Sequence, residues 1–362
     1  MREPTWWYET SPGTASRLLG PAAALWGALT RRRFARTAPY RAPFPVICIG
    51  NFTAGGAGKT PLALAVAELV DGLGPASAFL SRGYGGRITG PHWVDPDRDR
   101  AEDVGDEPLL LAASRPTLIC RDRAAGARAI AAGAGTGSRP APTAVDVIIM
   151  DDGLQNPGLA KDLTFAIVDG ARGVGNGRVI PAGPLRAPLD FQLDLVDAVV
   201  INRGSAPDAA AGQSDFAARL RHDFEGPVLE ARIVPGVGPN AVHEWLAAAP
   251  VVAFAGIGVP DRFFATLGTL GADPVARVAF PDHHVFTQAD ARRLLELARA
   301  HGATLVTTEK DRARLAGAAG ALAELHAQAK ALPIRLAFEA RDEGRLIALI
   351  EGAVGRRGQK AR

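Results

Sequence analysis

The sequence predicts an α/β protein with three parts. A parallel sheet with helices on both faces comes first, then a smaller C-terminal α/β domain, and an apolar–basic helix precedes both. Apolar β-type runs recur along the 362 residues, separated by helical or loop segments. Several, such as Val147-Ile148-Ile149-Met150, are apolar without alternation, which marks strands buried on both faces between helix layers. The first forty residues differ in composition from everything after them.

That N-terminal segment carries Trp6-Trp7-Tyr8, then an apolar stretch from Leu18 to Leu29 interrupted by Gly20 and Pro21. Arg31-Arg32-Arg33 follows, with Arg36 and Arg41 close behind. Spanning a bilayer takes about 20 apolar residues, so this stretch is too short. A secretory signal puts its positive charge before the apolar run, and here the order is reversed. Two readings remain. The segment (residues 1–40) lies in a lipid headgroup region with its arginines on anionic lipid, or it packs on the protein's own core with a solvated arginine run.

Next comes Val46-Ile47-Cys48-Ile49-Gly50-Asn51-Phe52, running into Thr53-Ala54-Gly55-Gly56-Ala57-Gly58-Lys59-Thr60-Pro61. An apolar run breaks into a glycine-rich loop, and Gly-Lys-Thr opens a helix-compatible run over 62–70. Glycines let backbone N–H groups turn towards a phosphate, and the helix N-terminus adds favourable partial charge. Lys59 reaches terminal phosphates in such a loop, and the Thr60 hydroxyl ligates Mg²⁺. Pro61 suits a first helical turn. The strict motif has glycine six residues before the lysine, where this chain has Thr53. The fold expected is therefore of the phosphate-loop (P-loop) NTPase kind, binding a nucleoside triphosphate through residues 53–60.

Further strand-like runs fall at 76–81, 117–120, 145–150, 163–168, 198–202, 251–255 and 304–307, with a loose Ala/Gly/Pro-rich connection at 131–144. A boundary is placed near 225, before a Gly- and Pro-containing stretch with a short β-type run at 228–234. The expected domains are 41–225 for nucleotide binding and 226–362 for the smaller unit. The basic tail 356–362 reads as frayed.

Polar clusters sit where strands end. Asp151-Asp152-Gly153 closes a buried strand, the place where a phosphate-loop fold holds Mg²⁺, although Asp and Gly also make ordinary turns. Successive residues point in different directions, so one of the two acids is expected at the metal. Glu102-Asp103-Val104-Gly105-Asp106-Glu107-Pro108 precedes a helix, where acids are often only dipole partners. Phe280-Pro281-Asp282-His283-His284 brings imidazoles that can take a proton near neutrality, or sit idle on a loop. Zinc is a poor fit there, with no cysteine pair nearby. The loops Ser81-Arg82-Gly83-Tyr84-Gly85-Gly86, Arg121-Asp122-Arg123 and Pro181-Ala182-Gly183-Pro184-Leu185-Arg186 are expected to share one crevice. The turn Thr307-Thr308-Glu309-Lys310-Asp311 reads equally as helix capping.

The net charge of +3 is too small to imply nucleic acid. The two cysteines, Cys48 and Cys120, lie in apolar runs and fit a reducing compartment rather than a disulfide framework. No feature asks for an obligate protein partner.

Taken in order, these motifs resemble the tetraacyldisaccharide 4′-kinases of lipid A synthesis. The resemblance rests on Gly50-Asn51 with residues 55–61, Ser81-Arg82-Gly83-Tyr84-Gly85, Gly105-Asp106-Glu107-Pro108 and Asp151-Asp152-Gly153-Leu154-Gln155. Gly183-Pro184-Leu185-Arg186, Phe280-Pro281-Asp282-His283 and Thr307-Thr308-Glu309-Lys310-Asp311 complete it. It implies transfer of the ATP γ-phosphate, with Mg²⁺, to the 4′-hydroxyl of an acylated glucosamine disaccharide 1-phosphate. The setting implied is the cytoplasmic face of the bacterial inner membrane, with peripheral or monotopic attachment. It further implies that Asp106 and His283 form a catalytic dyad, that Lys59 serves catalysis, that Arg186 contacts nucleotide, and that Thr60 with Asp151 or Asp152 takes the metal. The family usually has Glu after that arginine, and here position 187 is Ala. Two rivals are a membrane-recruited regulatory ATPase of the partitioning type and a nucleotide-binding scaffold. The first carries Lys-Gly-Gly-x-Gly-Lys, whose first lysine is Ala54 here; the second leaves the strand-end acids unexplained.

Overall fold

The computed structural model describes residues 3–9, 13–205, 213–236, 246 and 250–358. Part of the stretch around the expected boundary, and the end of the basic tail, lie outside these. Among these residues thirteen strands form two sheets. The larger contains β1 (Val46–Gly50), β2 (Ser77–Ser81), β3 (His92–Trp93), β4 (Thr117–Ile119), β5 (Val147–Asp151), β6 (Leu163–Asp169), β7 (Ala198–Asn202) and β8 (Val228–Pro235). The smaller contains β9 (Val251–Ala255), β10 (Ala276–Ala279), β11 (Thr304–Thr308) and β12 (Lys330–Leu332). The last strand, β13 (Ile334–Phe338), returns to the larger.

The large sheet has the order β13-β8-β7-β6-β1-β5-β2-β4-β3. Its central strands are buried along their whole length and pair in parallel, as their unbroken apolar runs require. The expectation of a wholly parallel sheet needs correction, because β3 and β13 join antiparallel at the two edges. Neither carries a continuous apolar run. β3 has two residues, and β13 alternates in burial as a half-covered edge strand does.

The boundary expected at 225 falls just ahead of β8, which is a member of the large sheet beside β7. The four-stranded parallel sheet, β10-β9-β11-β12, lies between β8 and β13 in the chain. After β13, the helix Ala340–Gly358 buries Leu346, Ile350 and Ala353 in the same core as the helix Lys59–Gly72. The small domain is thus inserted in the large one.

The N-terminal helix Gly20–Arg36 has two unlike faces. Ala23 and Gly27 are buried, Gly27 against Pro188, and the preceding Ser16 donates to the Ala182 carbonyl. Leu18, Leu25, Trp26 and Leu29 are more than half exposed. The packing reading therefore holds for one face, and the other is open to solvent. The Trp7 indole donates to the Pro181 carbonyl, so that tryptophan is tied to the protein. Among the described residues no helix is long and apolar enough to cross a membrane.

Candidate active site

The phosphate loop leaves the C-terminal end of β1 at the middle of the sheet. Asn51 fixes its entry, donating to the carbonyls of Thr53 and Gly55. Gly58 caps the following helix with φ 104° and lies against Asn202, whose amide donates to the Ala57 carbonyl. A side chain there is excluded both by φ and by space. Thr53, where the strict motif has glycine, has no positive φ; it bridges antiparallel to Leu185. The loop is braced by the 183–186 segment, since Ala54 N–H donates to Pro184 and Arg186 N–H to Phe52. That brace accounts for threonine at a position where the backbone no longer needs glycine.

Behind the loop, β5 ends in the two acids, and they part as expected. Asp152 adopts φ 49°, a conformation a short polar side chain tolerates. Its carboxylate lies 2.6 Å from the Arg186 guanidinium and 3.8 Å from Lys59 Nζ. Burial pushes this acid up, but Lys59 and Arg186 outweigh it and hold it at about 2. Arg186 also donates to the Thr53 carbonyl. Asp151 is almost wholly buried, and among the described residues only Ser81 donates to its carboxylate, at 3.3 Å; its Oδ1 has no partner, and neither has the buried hydroxyl of Thr60. Burial, then the charges of Glu107 and Asp152, push Asp151 up to about 7.

A second cluster forms where the small domain meets the large one. Gly105, at φ 93° and pressed against the Tyr84 carbonyl, starts the helix Asp106–Ser114 with no side-chain cap. Asp106 and Glu107 occupy its first turn, where the helix dipole favours negative charge. His283 approaches from the small domain with Nδ1 3.2 Å from Asp106 Oδ2. Its backbone sits at φ 55°, held by N–H donation to the Gly256 carbonyl. Burial would raise Asp106, yet the His283 hydrogen bond and the Arg314 and Lys310 charges hold it far below the usual carboxylate range. The same hydrogen bond raises His283. His284 turns away, stacks on Phe280 and pairs with Asp290 at a helix start. It is a structural residue.

The acid pair and the phosphate loop are one neighbourhood, because Glu107 is lowered partly by Lys59 and Asp151 is raised partly by Glu107. Sequence reasoning missed three participants. Arg314 donates to Asp106, and Arg262 of the small domain grips Asp169 at the end of β6. Gln192 joins Gln155 to the carbonyls of Phe52 and Ala187. Only Gln155 carried a motif signal. Thr308 does cap its helix, as the bland reading of that turn held, while Lys310 reaches Glu107.

A phosphate loop facing strand-end acids, with an acid–imidazole pair brought together by a second domain, defines a phosphoryl-transfer enzyme. The family model for tetraacyldisaccharide-1-P 4′-kinase matches residues 15–354. The tetraacyldisaccharide 4′-kinase of Rhodospirillum centenum is 51% identical over 350 residues, 94% of each chain. That of a Methylobacterium species (strain 4-46) is 48% identical over 360 residues, covering 98% of this chain and all of the relative. The crystal structure of LpxK from Aquifex aeolicus in complex with ATP shares the fold, with a TM-score of 0.70 over 94% of this chain and 99% of the other at 24% identity. This chain belongs to the tetraacyldisaccharide 4′-kinase family. Membership sets aside the partitioning-ATPase and scaffold readings.

Proposed function

We propose that the chain transfers the γ-phosphate of ATP to the 4′-hydroxyl of a tetraacylated glucosamine disaccharide 1-phosphate. Beyond family membership, the Asp106–His283 pair beside the phosphate loop carries this reading. Asp106 stays ionised, accepts from His283 Nδ1–H, and so leaves Nε2 to take the proton of the attacking hydroxyl. Lys59 draws the γ-phosphate in line, and Arg186 neutralises charge on the nucleotide once it lets go of Asp152.

The orphaned Thr60 Oγ1 and Asp151 Oδ1 fit Mg²⁺, and the raised Asp151 is an acid short of a counter-charge. Among the described residues no three His, Cys, Asp or Glu side chains could hold a metal unaided. Most ligands would then be phosphate oxygens and water, the usual Mg²⁺ arrangement. Bound there, the ion would neutralise charge on the phosphate oxygens. We assign Asp151 to the metal and Asp152 to the Lys59–Arg186 contact. Ala187 is fully buried and contributes no acid.

The exposed leucines of the N-terminal helix, beside its arginines, support attachment to the cytoplasmic face of the inner membrane without crossing it. The test is transfer of label from γ-³²P-ATP to the disaccharide lipid in detergent with Mg²⁺. Labelled lipid from the wild type, reduced by about 10²–10⁴-fold in His283→Gln, supports the reading. ATP hydrolysis with no labelled lipid overturns it.

A further inference from the structure

Arg314 lies on the short helix Glu309–Leu315 of the small domain, and nothing in its sequence context marks it. It is 8% exposed, and the Asp106 it faces is 7% exposed. All three of its guanidinium nitrogens donate. Nε donates to Asp106 Oδ2 at 2.8 Å, and Nη2 donates to the same oxygen. Nη1 donates to the Gly256 carbonyl and to Asp311 Oδ1, each at 2.7 Å.

Two of these three acceptors also hold His283. Its backbone N–H donates to the Gly256 carbonyl at 3.1 Å, and its ring nitrogen meets Asp106 Oδ2. A closed ring results, running from the His283 backbone through Gly256, Arg314 and Asp106 to the His283 imidazole. Its links come from three elements of the small domain and one of the large. A non-glycine residue with φ in the left-handed region persists only where its surroundings hold it there, and this ring does so.

We propose that Arg314 is the positioning residue of the Asp106–His283 pair, fixing the carboxylate and the imidazole loop in register across the domain interface. The proposal rests on the dyad reading above. Arginine is needed for geometry as well as charge. A lysine ammonium on a flexible stem cannot present the planar fork that reaches Asp106, Gly256 and Asp311 together.

The groups facing His283 set the pH consequence. They are Asp106 from the large domain, Asp282 beside it in its own loop, Arg314 across the carboxylate, and the Tyr84 ring at 6.0 Å. Lys310, Glu107 and Asp311 form the next layer. Asp106 and Asp282 favour the imidazolium, and Arg314 opposes it. Removing the guanidinium therefore raises His283 further, and the basic imidazole appears only at higher pH.

Full-length Arg314→Gln and Arg314→Lys would be assayed for lipid phosphorylation from pH 5.5 to 9, with Asp106→Asn and His283→Gln alongside. In Arg314→Gln, kcat is expected to fall by about 30–100-fold, the scale of an ångström-sized misplacement, with KM for ATP within about twofold. The acid limb of kcat/KM moves to higher pH. Arg314→Lys keeps the limb near its wild-type place while kcat stays several-fold low. Titration of the His283 ring proton by NMR reads the same shift without turnover and applies to whichever variant folds.

An unmoved limb in Arg314→Gln, with kcat within about threefold or with lowered thermal stability alone, overturns the proposal. So does full recovery by lysine, since charge would then suffice. Wild-type rates in Asp106→Asn and His283→Gln would instead overturn the dyad reading.

Discussion

Lys310 of the small domain and Glu107 of the large one form an ion pair, Nζ to Oε1 at 2.6 Å, one residue along from the Asp106 carboxylate. Each side chain is about a quarter exposed. Buried away from most solvent, each would be costly without the other. With the Arg314–Asp106 and Arg262–Asp169 contacts, the pair puts three ion pairs across the docked domains, beside the packing of Ala313 on the apolar cluster of Val104 and Leu109.

Lys310→Met leaves Glu107 beside other acids without its cation. Stability is expected to fall by about 1–3 kcal/mol, the usual cost of stranding a half-buried polar group. The double variant Lys310→Met/Glu107→Met should recover part of that loss. Urea unfolding of the four proteins in the cycle measures it, and strictly additive losses would deny the coupling.

Asp151 gives a pH dependence with a definite sign. Its folded value, about 7, lies above its unfolded value of 3.8, so the folded state holds the proton more tightly. This group is therefore neutral towards stability below about pH 4. It destabilises progressively from there to about pH 7, each pKa unit being worth about 1.4 kcal/mol. Asp151→Asn should raise the melting temperature of the ligand-free protein at pH 8 and leave it nearly unchanged at pH 4. With Mg²⁺ and ATP the order should reverse, because the wild type gains a cation that the variant binds weakly. Calorimetry at the two pH values, with and without ligand, decides it.

Arg186→Met removes the partner 2.6 Å from Asp152 and should weaken transfer without loosening the fold. A loss of about 10²–10³-fold in kcat is expected if the guanidinium meets developing phosphate charge. Lys59→Met should lose at least as much. Equal falls in kcat and kcat/KM are the signature to look for, and a change confined to KM for ATP would limit Arg186 to ground-state binding.

Leu25 and Leu29 face solvent on the N-terminal helix, 62% and 51% exposed. Inserting a leucine into an apolar phase is worth about 1.5–3 kcal/mol. Leu25→Glu/Leu29→Glu should thus weaken binding to anionic vesicles by well over tenfold, with ATP binding intact. Binding by the wild type should fall with added salt, as arginine–headgroup attraction is screened. Vesicle flotation tests both, and undiminished flotation of the variant would remove the helix from the membrane contact.

What the sequence revealed is local in origin. The strand, glycines, Lys59 and Thr60 of the phosphate loop are contiguous, so their geometry follows from chain syntax. β1, β5, β6 and β7 announce themselves through unbroken apolar runs. β10 and β13 do not, being partly exposed edge strands. Arg314 reaches an acid 208 positions away, a distance over which a single sequence carries no pairing signal. Asp106 and His283, 177 apart, were visible only because each sits in a motif with its own family likeness. Ala187 is the reverse case. A missing acid is plain in the sequence, but the glutamine network now covering that backbone is not.

The antiparallel contact of β13 with β8 bears on how the protein is made. Pro235 lies opposite Ile334, so nearly a hundred residues separate two neighbours in one sheet. On the ribosome, the large domain emerges with one sheet edge bare and the apolar flank of the helix Lys59–Gly72 uncovered. The edge waits for Ile334–Phe338, and the flank waits for Leu346, Ile350 and Ala353. The small domain can collapse on its own sheet before then, whereas the nucleotide half stays unfinished until those residues are made. A nonsense mutation between Ile334 and Ala353 would therefore disable the phosphate loop by unfolding a domain whose signature motif it never touches.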